Sequence, residues 1–486
     1  MGILYYGDNL DILRNKIADE SVDLCYIDPP FNSKRSYFQI YNNIGGEQDK
    51  AQAQAFVDTW EWDTHAIEGY QQITSNFEGR FTRQAIELVK GLKSILGEDD
   101  LLAYLVSMTL RITEIYRVLK PNGSFYLHCD PTASHYLKLV LDAVFCGQGG
   151  DFINEIAWCY GSGGASKRHF SRKHDIIFFY AKGDNYTFNV DAVREEYSSP
   201  EKVEFKVVDG KPYKRKHELG RIPFDWWQIP ILTNTAKERL GYPTQKPEAL
   251  LERIVKASSN EGDTVLDAYC GCGTTVAVAE RLKRNWIGID ITYHSISLIL
   301  KRMEKDFGKN ILTTIKVDGI PQDMNAARAL ANRQDDRVRK EFEKWAVLTY
   351  TNNHGVVNAK KGADKGVDGV VYFATGANTD ERMIIQVKSG AVNRSVIAAL
   401  NSDMQREQAQ MATLITLEEP TKPMREEALK VGFYHHPLMG KDYPKIQIVT
   451  VRELIEENKR LELPMSHQLQ KSAKERGKSS QIDMGL

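Results

Sequence analysis

The chain has 486 residues, of which 42% are hydrophobic and 10% aromatic, and this composition excludes a mainly disordered chain. At about 150 residues per domain, its length argues against a single compact domain. Lys and Arg total 64 against 65 for Asp and Glu, so the net charge of -1 excludes nucleic-acid binding by bulk positive charge. Apolar runs stay far below the roughly 18 residues of a membrane span, and the first residues lack the pattern of a secretory signal. We therefore expect a soluble, cytoplasmic protein of two to four domains, with no membrane partner.

The first predicted strand covers residues 22–27 and ends abruptly at the sequence Asp28-Pro29-Pro30-Phe31. Its residues are mostly apolar, with β-branched and aromatic members. Two consecutive prolines cannot donate hydrogen bonds to a sheet ladder, so the backbone leaves the sheet at Asp28 in an extended conformation. This predicts that the Asp28 side chain lies at the carboxyl end of a strand.

Between this strand and the middle of the chain, the pattern changes twice. Residues 41–100 carry eleven acidic and five basic side chains without a strong hydrophobic period, which predicts an insertion with short helices. Residues 101–119 place apolar side chains at helical spacing, and the turn sequence at 120–123 ends this helix. A strand is predicted to follow at 124–128.

A locally basic region and a βαβ unit come next. Residues 161–221 hold thirteen basic and nine acidic side chains, and the first eight of these residues are typical of a glycine-rich loop with cationic ends. Residues 243–258 predict an extended segment and then a helix. Residues 264–290 predict a strand, a glycine loop, a helix and a second strand.

The pattern restarts after about residue 320. Helical spacing at 325–345 is followed by two β-rich runs, 366–373 and 382–388, which together predict a second domain at 321–465. The sequence is then polar and without periodicity, so we expect residues 466–486 to form a disordered tail.

The glycine loop of the βαβ unit predicts a ligand site. Asp267 ends the first strand, Gly271 and Gly273 let the backbone turn tightly, and the helix beginning near Thr274 directs its amides at a ligand. Asp290 ends the second strand, where its carboxylate can accept hydrogen bonds from both hydroxyls of a ribose. An adenosine-containing ligand fits this arrangement, and an ordinary tight turn with a charged strand end is the alternative.

Residues 28–31 suit chemistry on an exocyclic amine, although such a tetrapeptide alone is more often just a turn. The lone pair of a nucleobase amine is delocalised into the ring, which makes the nitrogen a poor nucleophile. Hydrogen bonds to the Asp28 carboxylate and to the carbonyl of Pro29, held rigidly beside Pro30, can draw this nitrogen toward tetrahedral geometry. Phe31 supplies an aromatic face on which a base can stack after leaving the duplex.

Together these motifs resemble those of the S-adenosylmethionine-dependent amino-methyltransferases of DNA in bacterial restriction-modification systems. That family carries a D-P-P-[FY] catalytic motif and a D-x-F-x-G-x-G-T-T donor-binding segment. This chain has DPPF at 28–31 and DAYCGCGTT at 267–275, with Tyr269 in place of Phe. The catalytic motif comes first, which resembles the β group of the family. Shorter matches at 7–8, 119–124 and 243–247 extend the resemblance over about residues 1–310.

The resemblance implies an α/β fold. A Rossmann-like methyltransferase domain would cover residues 1–320, with the insertion at 41–100 and a target-recognition region at 150–240. The implied activity is methylation of the 6-amino group of adenine in double-stranded DNA. N4-cytosine remains an alternative, although most cytosine enzymes carry Ser at the position of Asp28. The sequence leaves open whether the chain acts as a homodimer or with a partner restriction subunit.

The resemblance also implies which residues bind the methyl donor, S-adenosylmethionine. Its methionine part would lie among Asp267, Gly271 and Gly273, its ribose at Asp290 and its adenine amine at Asp8. The rest of the implied donor site consists of Tyr269, Thr274 and, at the rim, Lys246. For Lys246 alone, simple exposure to solvent is an equally good interpretation.

The basic region falls where the target-recognition region of the family is expected. Basic side chains there would neutralise phosphates, and arginines could read guanine edges. The candidates for DNA contact are Lys167, Arg168, Arg172, Lys173 and Arg215. A solvated charged surface is the alternative for each of them.

The second domain resembles the Mrr-like branch of the PD-(D/E)xK nuclease fold, a further α/β unit. Asp368 and Lys388 would converge from neighbouring strands, Gln386 takes the place of a usual Glu or Asp, and Glu343 matches a helical glutamate. In an active member such residues hold Mg²⁺ and activate water. The alternatives are a single-chain enzyme that both methylates and cleaves, an inactive nuclease fold that binds DNA, and an ordinary exposed hairpin.

Overall fold

The computed structural model describes residues 1–30, 35–42, 48–58, 60–161, 168, 170–197, 205–208, 211–214, 217–233, 236–242, 244–321, 323–332, 336–352, 355–357, 366–375, 380–463 and 469–472. Its strands are β1 (Gly2–Tyr6), β2 (Val22–Ile27), β3 (Arg35–Asn42), β4 (Gln48–Asp58), β5 (Leu119–Cys129), β6 (Asp151–Cys159), β7 (His174–Ala181), β8 (Phe205–Val208), β9 (Lys211–Lys214), β10 (Trp226–Gln228), β11 (Thr264–Asp267), β12 (Asn285–Asp290), β13 (Ile315–Asp318), β14 (Val356–Val357), β15 (Gly369–Ala374), β16 (Asp380–Lys388), β17 (Met411–Thr416), β18 (Phe433–His436), β19 (Lys441–Pro444), β20 (Ile446–Thr450) and β21 (Leu469–Ser472).

The helices lie mostly between the strands. They are α1 (Asn9–Lys16), α2 (Thr64–Thr74), α3 (Arg83–Leu96), α4 (Asp100–Val118), α5 (Ser134–Val144), α6 (Glu248–Ser258), α7 (Thr274–Arg281), α8 (Tyr293–Phe307), α9 (Met324–Ala331), α10 (Asp336–Tyr350), α11 (Arg394–Arg406), α12 (Lys422–Lys430) and α13 (Val451–Glu456). Within the described residues, no helix is both long and apolar enough to cross a membrane.

The larger sheet is built from the first two thirds of the chain. In the described residues its order is β10-β6-β7-β5-β2-β11-β12-β1-β13. All neighbouring pairs are parallel except those of β7, which runs antiparallel to β5 and β6. The carboxyl ends of β2, β11, β12 and β1 therefore meet at one edge of the sheet, which is where ligands bind in open α/β sheets.

Both faces of this sheet are covered, as the near-continuous apolar strands require. Leu24 and Tyr26 of β2 belong to the hydrophobic core on one face, whereas Cys25 and Ile27 belong to the core on the other. Helices α1 to α5 pack on the face of Cys25 and Ile27, and α6 to α8 pack on the face of Leu24 and Tyr26. The alternation of β2 side chains explains how a fully buried strand serves two cores.

A smaller sheet lies in the C-terminal part, with the order β14-β15-β16-β17-β20. Strands β16, β17 and β20 are parallel, while β15 is antiparallel to β16. Phe342 and Trp345 of α10 share a continuous core with Leu4 and Trp286 of the larger sheet. The α/β class predicted for both parts is confirmed, whereas the predicted boundaries near residues 320 and 465 stay predictions.

Two sequence-based expectations need correction, for residues 41–100 and for the predicted tail. Residues 41–100 are more than an insertion with short helices, because they include β4 and because Ile73, Val89 and Leu92 of α2 and α3 are buried in the core. The region 150–240 contributes β6, β7 and β10 to the central sheet, and its role in target recognition stays a prediction.

The predicted disordered tail contains β21, which pairs antiparallel with β3. A polar segment without periodicity can form such a strand because an open edge offers backbone hydrogen bonds to any sequence. The rest of 466–486 lies outside the described residues.

Glu114 of α4 is a buried charge that ties several segments together. Its side chain is 2% exposed and accepts hydrogen bonds from Arg14 of α1 at 3.4 Å, Arg80 at 2.6 Å and Arg117 at 2.7 Å. A buried carboxylate is stable only when it is paired and hydrogen-bonded, and three guanidinium groups meet this requirement.

We predict that Glu114→Ala lowers the free energy of unfolding by about 2 kcal/mol, because it leaves three partly buried arginines without their common hydrogen-bond acceptor. Equilibrium urea unfolding of the full chain measures this. Glu87→Ala is the matched control, since Glu87 also pairs with a cation but is 62% exposed, and it should have no measurable effect. Equal effects of the two substitutions would contradict the prediction.

Candidate active site

The site lies where four parallel strands end. Asp28 follows β2, Asp267 ends β11, Asp290 ends β12, and Asp8 follows β1. Because β11 and β12 lie between β2 and β1 in the sheet, the side chains predicted from separate motifs share one edge. The sequence order of the motifs is unrelated to this spatial order.

Asp28 is held by one of its two carboxylate oxygens. Oδ2 accepts a hydrogen bond from Lys246 Nζ at 2.5 Å, and the two side chains are 17% and 11% exposed. Oδ1 is buried, and within the described part of the chain it has no hydrogen-bond partner. Lys246 therefore contacts the catalytic candidate and is not a solvated surface lysine, because the turn before α6 directs it inward. Pro29 is buried and Pro30 is half-buried.

The loop that bears Lys246 is fixed by its neighbour. The Gln245 side chain accepts a hydrogen bond from the Leu240 amide at 2.7 Å and donates one to the carbonyl of Glu238 at 2.6 Å. These bonds orient Lys246 toward Asp28.

The glycine loop has the conformation that its sequence predicts. Gly271 and Gly273 have φ values of +49° and +74°, which disfavour other residues. A Cβ on Gly273 would lie 2.7 Å from Cγ1 of Ile299. The Asp267 carboxylate accepts the Tyr269 amide hydrogen bond at 3.0 Å, and α7 begins at Thr274 as expected.

Asp290 joins three segments. Its carboxylate accepts hydrogen bonds from the Gly271 amide at 2.9 Å and from the amide and hydroxyl of Thr292 at 2.9 and 3.0 Å. Its main-chain carbonyl accepts the Gly7 amide at 3.0 Å. The ends of β1 and β12 and the glycine loop are thus locked to one residue.

Both loop carboxylates are electrostatically unusual. Burial, aided by the nearby Asp28 carboxylate, raises the pKa of Asp267 to about 7, against the hydrogen bonds from Thr275 and Tyr269. Burial also raises the pKa of Asp290 to about 6. A cation or a set of hydrogen-bond donors at this edge would stabilise the ionised forms.

Asp8 is more engaged than the sequence suggests. It caps α1 by accepting the Leu10 amide at 2.8 Å, and both of its oxygens accept from Arg111 Nη2, at 3.2 and 3.0 Å. Asn9 donates to the carbonyl of Ala268 at 2.8 Å, which links α1 to the glycine loop. Sequence reasoning missed Arg111, because it lies 103 residues from Asp8 within a regular helix.

A buried polar chain beside Asp28 was also missed. The Tyr26 hydroxyl lies 2.9 Å from His128 Nδ1, the other ring nitrogen of His128 lies 3.3 Å from Asp175, and Asp175 accepts the Tyr160 hydroxyl at 3.0 Å. Burial by itself would raise the pKa of Asp175, but hydrogen bonds from His128 and Tyr160 lower it. The signal was a histidine at the end of a predicted strand.

The predicted DNA-contacting residues fall into two groups. Arg168, Arg172 and Lys173 precede β7, and because β7 is antiparallel, its first residues lie at the same edge as the ends of β5 and β6. Arg168 is exposed. Lys167 and Arg215 lie outside the described residues, as does Phe31 of the catalytic motif.

The C-terminal candidates are only partly brought together. Asp368 Oδ2 accepts the Val387 amide at 2.7 Å, so Asp368 does lie against β16, the strand of Gln386 and Lys388. Gln386 donates to the carbonyl of Gly366 at 2.5 Å, and its Oε1 is buried. Glu343 lies on α10. Across the described residues, no group of three or more His, Cys, Asp or Glu side chains could hold a metal ion.

Two family profiles match the chain. The DNA methylase family N6_N4_Mtase matches residues 22–301, and a family described as NACHT-associated inactive Restriction Endonuclease 1 matches residues 338–456. The first match covers more than half of the chain and includes both motifs of the candidate site.

Several curated proteins are similar to the first part. Type II methyltransferase M.HpaI of Haemophilus parainfluenzae is 31% identical over 245 residues, which is 50% of this chain and 70% of that protein. DNA adenine methyltransferase YhdJ of Escherichia coli K12 is 30% identical over 306 residues, 62% of this chain and 82% of that protein.

Among solved structures, a putative DNA modification methylase of Thermus thermophilus, complexed with S-adenosyl-L-methionine, covers 65% of this chain and 98% of its own, with 17% identity and a TM-score of 0.36. A TM-score of this size adds nothing to the assignment. The profile match over residues 22–301 and the identity to YhdJ suffice: the chain belongs to the N6/N4 family of DNA methylases.

Proposed function

We propose that this DNA methylase transfers a methyl group from S-adenosylmethionine to the 6-amino group of adenine in double-stranded DNA, in a restriction-modification context. The observation that carries the proposal is the buried Oδ1 of Asp28, which has no hydrogen-bond partner among the described residues while Oδ2 is held by Lys246. The names of the relatives support it, since M.HpaI is a Type II methyltransferase and YhdJ a DNA adenine methyltransferase.

Asp28 would act on the amine through a hydrogen bond. An amine proton donated to Oδ1, and a second donated to the carbonyl of Pro29, would localise the nitrogen lone pair for attack. The carboxylate would also stabilise the positive charge that develops on this nitrogen. Lys246 holds Oδ2 and so fixes the orientation in which Oδ1 meets the amine.

The residues around the glycine loop fit the donor. S-adenosylmethionine supplies a methyl group activated by a positively charged sulfonium. The two glycines let the loop turn tightly at positive φ, and the carboxylates with raised pKa values suit a cationic ligand with ribose hydroxyls. The residues that would hold it are Asp8, Asp267, Tyr269, Gly271, Gly273, Thr274 and Asp290, with Lys246 serving Asp28 instead.

DNA would approach the same edge of the sheet. Arg168, Arg172 and Lys173 lie just before β7 and could neutralise phosphates around a flipped adenine. Phosphate contacts of this kind position the duplex without reading its sequence.

Removing the carboxylate of Asp28 tests the mechanism. We predict that Asp28→Ala lowers kcat by about 100-fold or more, because the amine loses its charged acceptor. Incorporation of labelled methyl groups into DNA measures this. The affinity for S-adenosylmethionine, measured without DNA, should be nearly unchanged and serves as the control.

Chromatography of the labelled nucleosides separates adenine from cytosine as the target. Label in N4-methylcytosine would overturn the adenine assignment and leave the family intact. Full activity of Asp28→Ala would overturn the mechanism.

Donor binding should depend on pH. Asp267 must be ionised to stabilise a cationic donor, and its raised pKa of about 7 leaves it largely protonated at pH 6. We predict that the dissociation constant for S-adenosylmethionine rises about tenfold from about pH 7.5 to pH 6, as expected for linkage to one proton. Calorimetric titration measures it.

Asp267→Asn is the matched variant for this titration. This variant should bind S-adenosylmethionine more weakly at about pH 7.5, and its dissociation constant should depend much less on pH. The pH dependence that remains comes from Asp290, whose pKa is about 6. A wild-type dissociation constant that stays level across this range would contradict the prediction.

For the C-terminal domain, we infer a nuclease fold that does not cleave DNA. A metal nuclease needs several carboxylate oxygens around Mg²⁺. Here Gln386 is neutral, one oxygen of Asp368 accepts a backbone amide, and the matching family is described as inactive. The described residues do not fit a Mg²⁺ site, so we assign no step to that metal.

We predict that the full chain does not cut methylated or unmethylated DNA when Mg²⁺ is present in large excess over the protein, because the described residues do not fit a Mg²⁺ site. Gel electrophoresis of plasmid DNA detects cleavage. Lys388→Ala should change neither cleavage nor methylation. Mg²⁺-dependent cleavage that disappears in Lys388→Ala would establish an active nuclease and overturn this inference.

A further inference from the structure

Glu341 belongs to α10, yet its carboxylate reaches the methyltransferase sheet. Oε2 accepts a hydrogen bond from the Tyr6 hydroxyl at 3.1 Å and another from the main-chain amide of Tyr293 at 3.1 Å. Oε1 accepts from Lys344 Nζ at 2.5 Å, and the side chains of Glu341 and Lys344 are each 13% exposed. One carboxylate from the C-terminal part therefore contacts two segments of the first domain.

These two segments carry the proposed donor-binding carboxylates. Tyr6 is the last residue of β1 and stands two positions before Asp8. Tyr293 is the first residue of α8 and stands three positions after Asp290. The segments are joined directly by the Gly7 amide, which donates to the carbonyl of Asp290. Glu341 thus holds the same pair of strand ends from the side of the core that contains Tyr6 and Tyr293.

The packing around Glu341 is tight enough to transmit its position. The rings of Tyr6 and Tyr293 meet edge to face with centroids 5.8 Å apart. Trp345, one turn along α10, is buried in the same core as Tyr6. At the other end of the Tyr293 ring, its hydroxyl lies 3.4 Å from Oγ1 of Thr349. Charge-assisted hydrogen bonds in such low-dielectric surroundings are strong.

We propose that Glu341 is a positioning residue for the methyl donor, supplied by the nuclease-like domain. It fixes the relative position of the strand ends that bear Asp8 and Asp290, and so preorganises the donor site. The C-terminal domain thereby forms part of the methyltransferase rather than a passive fusion partner. This inference rests on the proposed function, because it takes the donor site to be the one described above.

The test uses the full chain with two single substitutions. Glu341→Ala removes the hydrogen bonds from Tyr6 and from the Tyr293 amide together with the ion pair to Lys344. Tyr6→Phe removes only the first of these and keeps the edge-to-face ring contact. We expect the dissociation constant and KM for S-adenosylmethionine to rise about tenfold in Glu341→Ala and about threefold in Tyr6→Phe. A tenfold change corresponds to about 1.4 kcal/mol. The value of kcat at saturating donor and KM for DNA should stay at wild-type levels.

Thr349→Val is the matched control. It removes a hydrogen bond from the same contact between α10 and α8 but leaves the Tyr293 amide and Tyr6 untouched, so donor affinity should not change. A general loss of folded protein would lower kcat instead of raising KM, and thermal unfolding of each variant reports it separately.

The outcomes are distinguishable. Wild-type donor affinity in both Glu341→Ala and Tyr6→Phe, or equal weakening by Thr349→Val, would overturn the role of Glu341. A wild-type chain that neither binds S-adenosylmethionine nor methylates DNA would instead overturn the proposed function.

Discussion

The hydrogen bonds to Asp290 are the interaction on which the site depends. Its carboxylate binds the glycine loop through Gly271 and the start of α8 through Thr292, and its carbonyl binds Gly7. Three loops that are distant in sequence are thereby fixed against one strand end. Parallel neighbours make this possible, because their carboxyl ends all point the same way.

The same constraint explains the electrostatics of the edge. Asp28, Asp267 and Asp290 are brought close together in a poorly hydrated place, and burial raises the pKa of the two loop carboxylates. Asp28 is the one of the three that has a cation, Lys246, at hydrogen-bond distance in the described structure. The sheet edge therefore combines the paired carboxylate of Asp28, which suits an amine, with the carboxylates of Asp267 and Asp290. A cationic ligand would stabilise the ionised forms of these two.

The two parts of the chain are less separate than their family matches. Residues of α10 and of the smaller sheet complete a core that begins at β1, and Glu341 extends a carboxylate to Tyr6 and Tyr293. Asp368, Gln386 and Lys388 supply few carboxylates for a metal ion. A domain with such a set can be retained if its packing supports the neighbouring enzyme. In the role proposed for Glu341, stability and donor binding share one interface.

Local sequence determined much of this protein. The strand before Asp28 needs no tertiary information because two prolines end it, and the βαβ unit at 264–290 follows from positive-φ glycines between apolar runs. Tertiary structure alone decided the partners of these residues: Lys246 beside Asp28, Arg111 beside Asp8, and Glu341 beside the Tyr6 hydroxyl and the Tyr293 amide. It also decided that residues 41–100 and 150–240 build the core and central sheet, and that residues 469–472 form a strand. The physical reason is that local sequence encodes backbone conformation, whereas which groups meet across 48 to 335 residues depends on the order in which strands join the sheet.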